Sequence, residues 1–258
     1  MYTICFSNEK GGVGKTTIAT NVAYLIAERY QQRVLFVDND KQGNSTSFFG
    51  VDTSNIPTIA DFFVGEAALP EIVQHTLYQN IDLLPSDHTL AVANAQLQTK
   101  MAQEDAASLY SILRSALSSV ADQYAFCVID NPPDHETAAV INALAATDTL
   151  VIVTPPTSFG LDGIRVILND TKYAQMLNPG FRIGGILVNG FKSSKSGYRF
   201  LDELESLSVP VYEHRIRYTP GWLNEALEAH CSIYEYCPQC GFARDLLTWL
   251  KEDFLTDI

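Results

Sequence analysis

Short apolar runs alternate with longer amphipathic ones along most of this chain. The runs at 2–7, 33–38, 81–84, 126–130, 149–154 and 183–189, with a shorter one near 209–212, carry Val, Ile, Leu and Phe at consecutive positions. Strands covered on both faces read this way, because neither face calls for polar side chains. Between them, 16–30 places Ile18, Val22, Leu25 and Ile26 at helical spacing, and 106–121 does the same with Leu109, Ile112, Leu113, Leu117 and Val120. Further helices are expected at 137–146, 160–177, 198–207, 220–229 and 241–254, with Pro220 suited to a first turn where its missing N–H costs nothing. The alternation predicts an α/β fold: a doubly wound, mostly parallel sheet of about seven to eight strands with helices on both faces. No repeat, low-complexity tract or composition break marks a linker, so residues 1–258 are expected to form a single domain.

Composition changes this picture in three places. No run approaches the ~18 consecutive apolar residues of a membrane span, and Met1 leads into the first strand with no charged-then-apolar leader, so a soluble, cytoplasmic protein is expected. The formal net charge of −13 opposes polyphosphate partners unless positive charge is gathered locally. Cys5 and Cys127 fall inside apolar runs and read as small buried hydrophobes, whereas Cys237-Pro238-Gln239-Cys240, with His230 and Cys231 nearby, has the spacing of half a zinc site. No second cysteine pair follows, which leaves a structural metal, free thiols or a local turn all open.

The strongest chemical signal is Asn8-Glu9-Lys10-Gly11-Gly12-Val13-Gly14-Lys15-Thr16-Thr17, which follows the first strand and opens the first helix. Glycines let backbone N–H groups converge on phosphate oxygens, Lys15 reaches the β- and γ-phosphates, and the Thr16 hydroxyl suits Mg²⁺. A nucleoside triphosphate is therefore the expected ligand. The general pattern has glycine five residues before Gly14; this chain has Glu9 there, then a second lysine, Lys10, whose charge can point outward toward another subunit's phosphates. The second strand delivers Asp38 and Asp40 to the same edge, and the fourth delivers Asp130, followed by Asn131-Pro132-Pro133-Asp134. The plainer reading of the paired acids is that they cap the following helix.

Lys10-Gly-Gly-Val-Gly-Lys-Thr-Thr17 resembles the deviant Walker A loop of the ParA/MinD family of P-loop NTPases, nearest its ParA/Soj-type partition ATPases. The resemblance spans nearly the whole chain. It implies ATP and Mg²⁺ as cofactors, a homodimer formed on ATP binding in which Lys10 completes the partner's site, and slow hydrolysis stimulated by a partner protein. It implies catalytic roles for Lys10, Lys15 and Asp40, the last orienting the attacking water. Nucleotide contacts fall to Lys10, Gly11, Gly12, Val13, Gly14, Lys15, Thr16, Thr17 and Asn189, the last at the adenine edge with the 215–220 loop closing over the ring. Metal contacts fall to Thr16 and, through water, Asp130. Two positions depart from the family pattern: Lys41 stands where it has proline, and Asp134 where a small polar residue follows the prolines.

Lys192, Lys195, Arg199, Arg215 and Arg217 form a local cationic stretch that a fold could bring onto one dimer face. Nonspecific DNA is the partner such a face suits, with nucleoid association and plasmid or chromosome partition as the expected setting. The helix at 242–258 carries Leu246, Leu247, Trp249, Leu250 and Phe254 among acidic residues and is expected to pack on the sheet, not on a membrane. Two alternatives stand beside a partition ATPase: a nucleotide-locked scaffold with little turnover, which Lys41 and Asp134 favour, and a MinD-like spatial regulator, which lacks its basic amphipathic tail. An electron carrier would need cluster-holding cysteines after Asp130, and an autokinase a tyrosine cluster richer than Tyr234 and Tyr236.

Overall fold

The computed structural model describes residues 1–103, 106–134 and 137–257. Among these residues, eight strands form one sheet: β1 (Tyr2–Ser7), β2 (Val34–Asp38), β3 (Gln74–His75), β4 (Ile81–Leu84), β5 (Phe126–Asp130), β6 (Thr149–Thr154), β7 (Arg182–Phe191) and β8 (Ile216–Arg217). Their order is β3-β4-β2-β5-β1-β6-β7-β8. Every pairing is parallel except β3 with β4. Strands β2 to β5 lie on one side of β1 and β6 to β8 on the other, so the winding reverses at β1. Open α/β sheets bind ligands outside the strand C-termini at such a reversal.

Period-2 alternation divides the apolar residues between two cores. Cys5, Leu35, Val37, Cys127, Ile129, Leu150 and Ile152 face the layer that includes the helices Leu90–Met101, Ala138–Ala145 and Ser158–Leu177. Ile4, Phe6, Val34, Phe36, Val128, Val151 and Val153 face the layer that includes Lys15–Tyr24 and Gly241–Thr248. This places Leu246, Trp249, Leu250 and Phe254 in the second core, each under 4% exposed, so the apolar face of that helix is spent on the sheet.

Several expected elements are altered. The stretch expected as a strand at 209–212 touches the sheet at one bridge, Ile186 to Val211; Pro210 has no N–H to donate, and the eighth strand is Ile216–Arg217 instead. The helix expected over 106–121 is broken between Leu109 and Ile112, with 104–105 outside the described residues. Buried Asn142 occupies the break: its amide donates to the Leu109 carbonyl at 2.9 Å and its oxygen accepts the Leu113 N–H at 3.2 Å. A side chain inserted into the ladder takes over the backbone groups that the helix would have paired. The first and last long helices both pass into π-helical turns, Leu25–Arg29 and Trp249–Phe254.

Candidate nucleotide site

The loop between β1 and the helix Lys15–Tyr24 is shaped by two left-handed residues, Gly12 at φ 71° and Gly14 at φ 95°. Gly14 is the helix N-cap, and a Cβ there would collide with the Asn189 amide. The turn aims the first helical N–H groups into a cavity of about 330 Å³ lined by loop residues 11–17 with Asp40, Gln42, Asn44 and Pro133. Converging N–H groups at a helix start favour anions, and phosphate above all. Lys15 is 6% exposed and its Nζ donates to the Lys10 carbonyl at 3.1 Å. Burial lowers its pKa, while Asp130, Asp40 and Asp134 pull it back up.

Three carboxylates from β2 and β5 arrive below this loop, in register at Asp38 and Asp130. Asp130 is buried; its Oδ2 accepts from Ser45 Oγ at 2.7 Å, and its Oδ1 has no hydrogen-bond partner. Burial raises its pKa to about 6, against the opposing pull of Thr16, Ser45 and Lys15. Asp38, fully buried, is raised to about 8 by burial and by the nearby Asp130 charge. It accepts the Thr46 N–H at 2.8 Å, the Thr46 hydroxyl at 2.7 Å and the Asp40 N–H at 3.1 Å. Asp38 thus organises the loop and the short helix Asn44–Phe48, as the capping reading of the paired acids has it. Asp40 is placed differently. It lies 8% exposed on the cavity wall, its Oδ1 accepting only the Gln42 N–H at 3.0 Å.

The chain matches the AAA domain family over residues 1–183. It is 32% identical to the sporulation initiation inhibitor protein Soj of Bacillus subtilis, across 83% of this chain and 79% of that protein. To the chromosome-partitioning ATPase Soj of Treponema pallidum it is 35% identical, across 94% and 92%. The chain belongs to the ParA/MinD family. Its fold also matches an ATP complex of a McdA variant from Cyanothece with a TM-score of 0.83, at 21% identity and covering 97% of this chain and 95% of that one.

Against the ParA/MinD pattern, the two departures prove to be neighbours. Lys41 Nζ lies 3.5 Å from Asp134 Oδ2, so the charge that replaces proline faces the charge that follows the two prolines. The signature Lys10 is tethered locally: its ammonium lies 3.4 Å from Glu9, its side chain is 39% exposed, and its N–H donates to Asn8 Oδ1 at 3.0 Å. It lies against the helix Ser158–Leu177 where Gly163 leaves room, since a Cβ there would approach Lys10 Cγ to 3.1 Å.

Asn189 donates through Nδ2 to the Val13 carbonyl at 2.8 Å, so its donor supports the phosphate loop. It also borders a second cavity of about 400 Å³ with Gly12, Val13, Lys192 and Tyr218. Tyr218 comes from the loop expected to close over the ring. The five basic residues are not equally free. Lys192, Lys195 and Arg199 are exposed, but Lys192 Nζ sits 3.9 Å above the Tyr218 ring and Arg215 lies 5.4 Å from the centre of Phe191. Arg217 is committed to Asp245, through Nε at 2.7 Å and Nη2 at 2.6 Å. Ser45 and Thr46 carry no expected role in the sequence; both follow the Asp40 loop directly, which is the signal that points to them. Among the described residues, no group of three His, Cys, Asp or Glu side chains could hold a metal, so Cys231, Cys237 and Cys240 do not build the site their spacing left open. Nor is any described helix long and apolar enough to cross a membrane.

Proposed function

We propose that residues 1–258 form one ATPase domain that dimerises on ATP and uses hydrolysis to position or segregate DNA or another cargo. The observation that carries this is the convergence of Lys15, Thr16, Asp40 and Asp130 on one sheet edge around the 11–17 loop. Lys15 and the loop N–H groups would hold the β- and γ-phosphates, and Asp40, the carboxylate on the cavity wall, would orient the attacking water. Asp130 and Thr16 fit Mg²⁺: both offer hard oxygen donors, and the orphaned Asp130 Oδ1 is a buried acceptor with no protein partner. Mg²⁺, when bound, would neutralise charge on the phosphate oxygens. Lys10, half-exposed beside Glu9, would reach the partner's nucleotide, and ATP-dependent dimers then act as a timed switch. The exposed Lys192, Lys195 and Arg199 are the candidate contacts to nonspecific duplex, and a partner protein would stimulate turnover.

A nucleotide-locked scaffold is the competing reading. The Lys41–Asp134 pair weighs against it, because the added negative charge near the phosphate site has a counter-charge beside it. Single-turnover ATP cleavage, with and without duplex DNA, separates the two. Lys15→Ala should abolish nucleotide binding. Lys10→Ala should spare it and abolish dimers, read by light scattering with a non-cleavable ATP analogue. Dimers retained in Lys10→Ala would remove the trans role, and a parent chain that never cleaves bound ATP would leave the scaffold.

A further inference from the structure

We propose that Cys237 and Cys240 are a thiol–disulfide exchange site, oxidised to an intramolecular disulfide by a low-molecular-weight disulfide. The proposal is independent of the ATPase reading. The four residues Cys237-Pro238-Gln239-Cys240 form a closed turn, in which the Cys240 N–H donates to the Cys237 carbonyl at 3.1 Å. Such turns hold their end Cα atoms within ~7 Å, inside or next to the roughly 4.4–6.8 Å that a disulfide spans. Both ends of the turn are fixed by helices: Cys237 ends Ile233–Tyr236, its N–H donating to the Ile233 carbonyl at 2.8 Å, and Cys240 is the N-cap of Gly241–Thr248. Bond formation thus asks for rotation of side chains on a backbone already in place.

The two sulfurs differ in a way that suits exchange. Cys237 is half-buried beside exposed Pro238 and Gln239, within reach of a small reagent, whereas Cys240 is 7% exposed and is reached from Cys237. Burial raises the Cys240 thiol, while the Phe242 and Ala243 amides at the helix start favour its charged form. The other thiols lack this arrangement. Cys5 and Cys127 are fully buried on strands, and the Cys231 thiol faces the Ala226 carbonyl at 3.8 Å.

The chemistry balances in two steps. Cys237, as thiolate, attacks one sulfur of the reagent, forming a mixed disulfide and expelling a thiolate that takes up the proton Cys237 gave up. Cys240 then loses its proton and attacks the Cys237 sulfur, expelling the second thiolate, which is protonated in turn. Two protein thiols are oxidised and one small disulfide is reduced to two thiols. The bond would sit at the root of the helix whose Asp245 holds Arg217, one residue from Tyr218 on the second cavity.

The test treats the full chain with glutathione disulfide, blocks remaining thiols by alkylation and maps peptides by mass spectrometry. The expected product is a single peptide joining Cys237 to Cys240, lighter by two hydrogens and restored by dithiothreitol. In Cys240→Ser, the glutathione adduct should persist on Cys237; in Cys237→Ser, Cys240 should stay free. A parent chain whose Cys237 remains alkylatable, keeps its glutathione adduct, or links to Cys231 overturns the proposal. The parent-chain measurement decides even if a variant does not fold.

Discussion

Thr46→Val removes one hydroxyl and almost no volume, from a position 3% exposed. That hydroxyl donates to Asp38 Oδ2 at 2.7 Å and accepts the Ser86 N–H at 2.9 Å, tying the loop after β2 to the segment after β4. A hydrogen bond to a charged group contributes about 1.5–3 kcal/mol, and a buried amide left unpaired costs about 1–3 kcal/mol. The full sum overstates the loss, because Asp38, raised to about 8, is largely protonated near neutral pH and then needs fewer donors. A loss of about 2–3 kcal/mol at pH 7 is expected. The pH dependence has a definite sign. A carboxyl whose folded pKa lies above its unfolded value stabilises the fold below the unfolded value and loses that contribution as pH rises through about 8. Removing a donor to the ionised form pushes Asp38 higher still, so the variant should lose more at pH 9 than at pH 6. Asp130, raised to about 6, titrates in part of the same window, so the readout is the difference between variants at each pH. Urea unfolding followed by circular dichroism measures it as a midpoint shift at constant slope. Thr46→Ser, which keeps the hydroxyl, should stay within about 1 kcal/mol of the parent. Equal losses in the two variants, or a larger loss at pH 6, would refute the argument.

Three further outcomes follow from the site and its surroundings. Gly14→Ala places a side chain at φ 95° and against the Asn189 amide, and should destabilise by about 1–2 kcal/mol while abolishing nucleotide binding in a fluorescent-ATP titration; parent affinity in this variant would contradict the loop geometry. Lys41→Met should leave Asp134 uncompensated and slow turnover by up to about five-fold, as a surface pair worth at most about 1 kcal/mol allows, and Lys41→Met/Asp134→Asn should recover it. Slowing that persists in the double variant means the pair is not the cause. His214 Nδ1 lies 2.6 Å from Asp253 Oδ1, and that partner raises its pKa. Its contribution is complete below the unfolded value near 6.5 and fades as pH rises through the raised one. Asp253→Asn should flatten that decline, by about 1 kcal/mol or less after solvent screening, in unfolding curves between pH 6 and pH 9.

The strands at 2–7, 126–130 and 149–154 were legible to the residue, because a strand sandwiched between two helical layers has no polar face to blur its ends, and 81–84 was legible despite its buried Asp82. The edges were not. Gln74–His75 and Ile216–Arg217 are two-residue strands with no apolar run, formed only because a neighbour offers a register. The helix Leu90–Met101 went unread although Leu90, Ala93, Leu97 and Met101 recur at helical spacing; Thr89 makes no capping bond to announce its start. The break at 110–111 depends on Asn142, about thirty positions away, which no periodicity reveals. The site divides the same way. Its loop and carboxylates follow from strand ends that must share an edge, whereas the pairing of Lys41 with Asp134 and the commitment of Arg217 to Asp245 are facts of three-dimensional proximity.

An acidic chain can still receive a triphosphate, because formal charge and local charge differ. Counted from the sequence, Asp38, Asp40, Asp130 and Asp134 set four negative charges against Lys15 beside the loop. Burial changes the count. Burial pushes Asp38 up to about 8 and Asp130 up to about 6, so near neutral pH the pair carries less than its formal charge of two, and one Asp130 oxygen is left without a hydrogen-bond partner. Lys41 offsets Asp134. What remains facing the cavity is Asp40, opposed by Lys15 and by the N–H groups at the start of the first helix. Desolvation of a carboxylate is costly unless donors surround it, and Asp38 has three; the protein uses that expense to fix a loop while withdrawing a charge that would repel its ligand. The same reasoning separates the basic corner from the whole: Lys195 and Arg199 are exposed on one helix, so the net charge of −13 does not decide what that helix can meet.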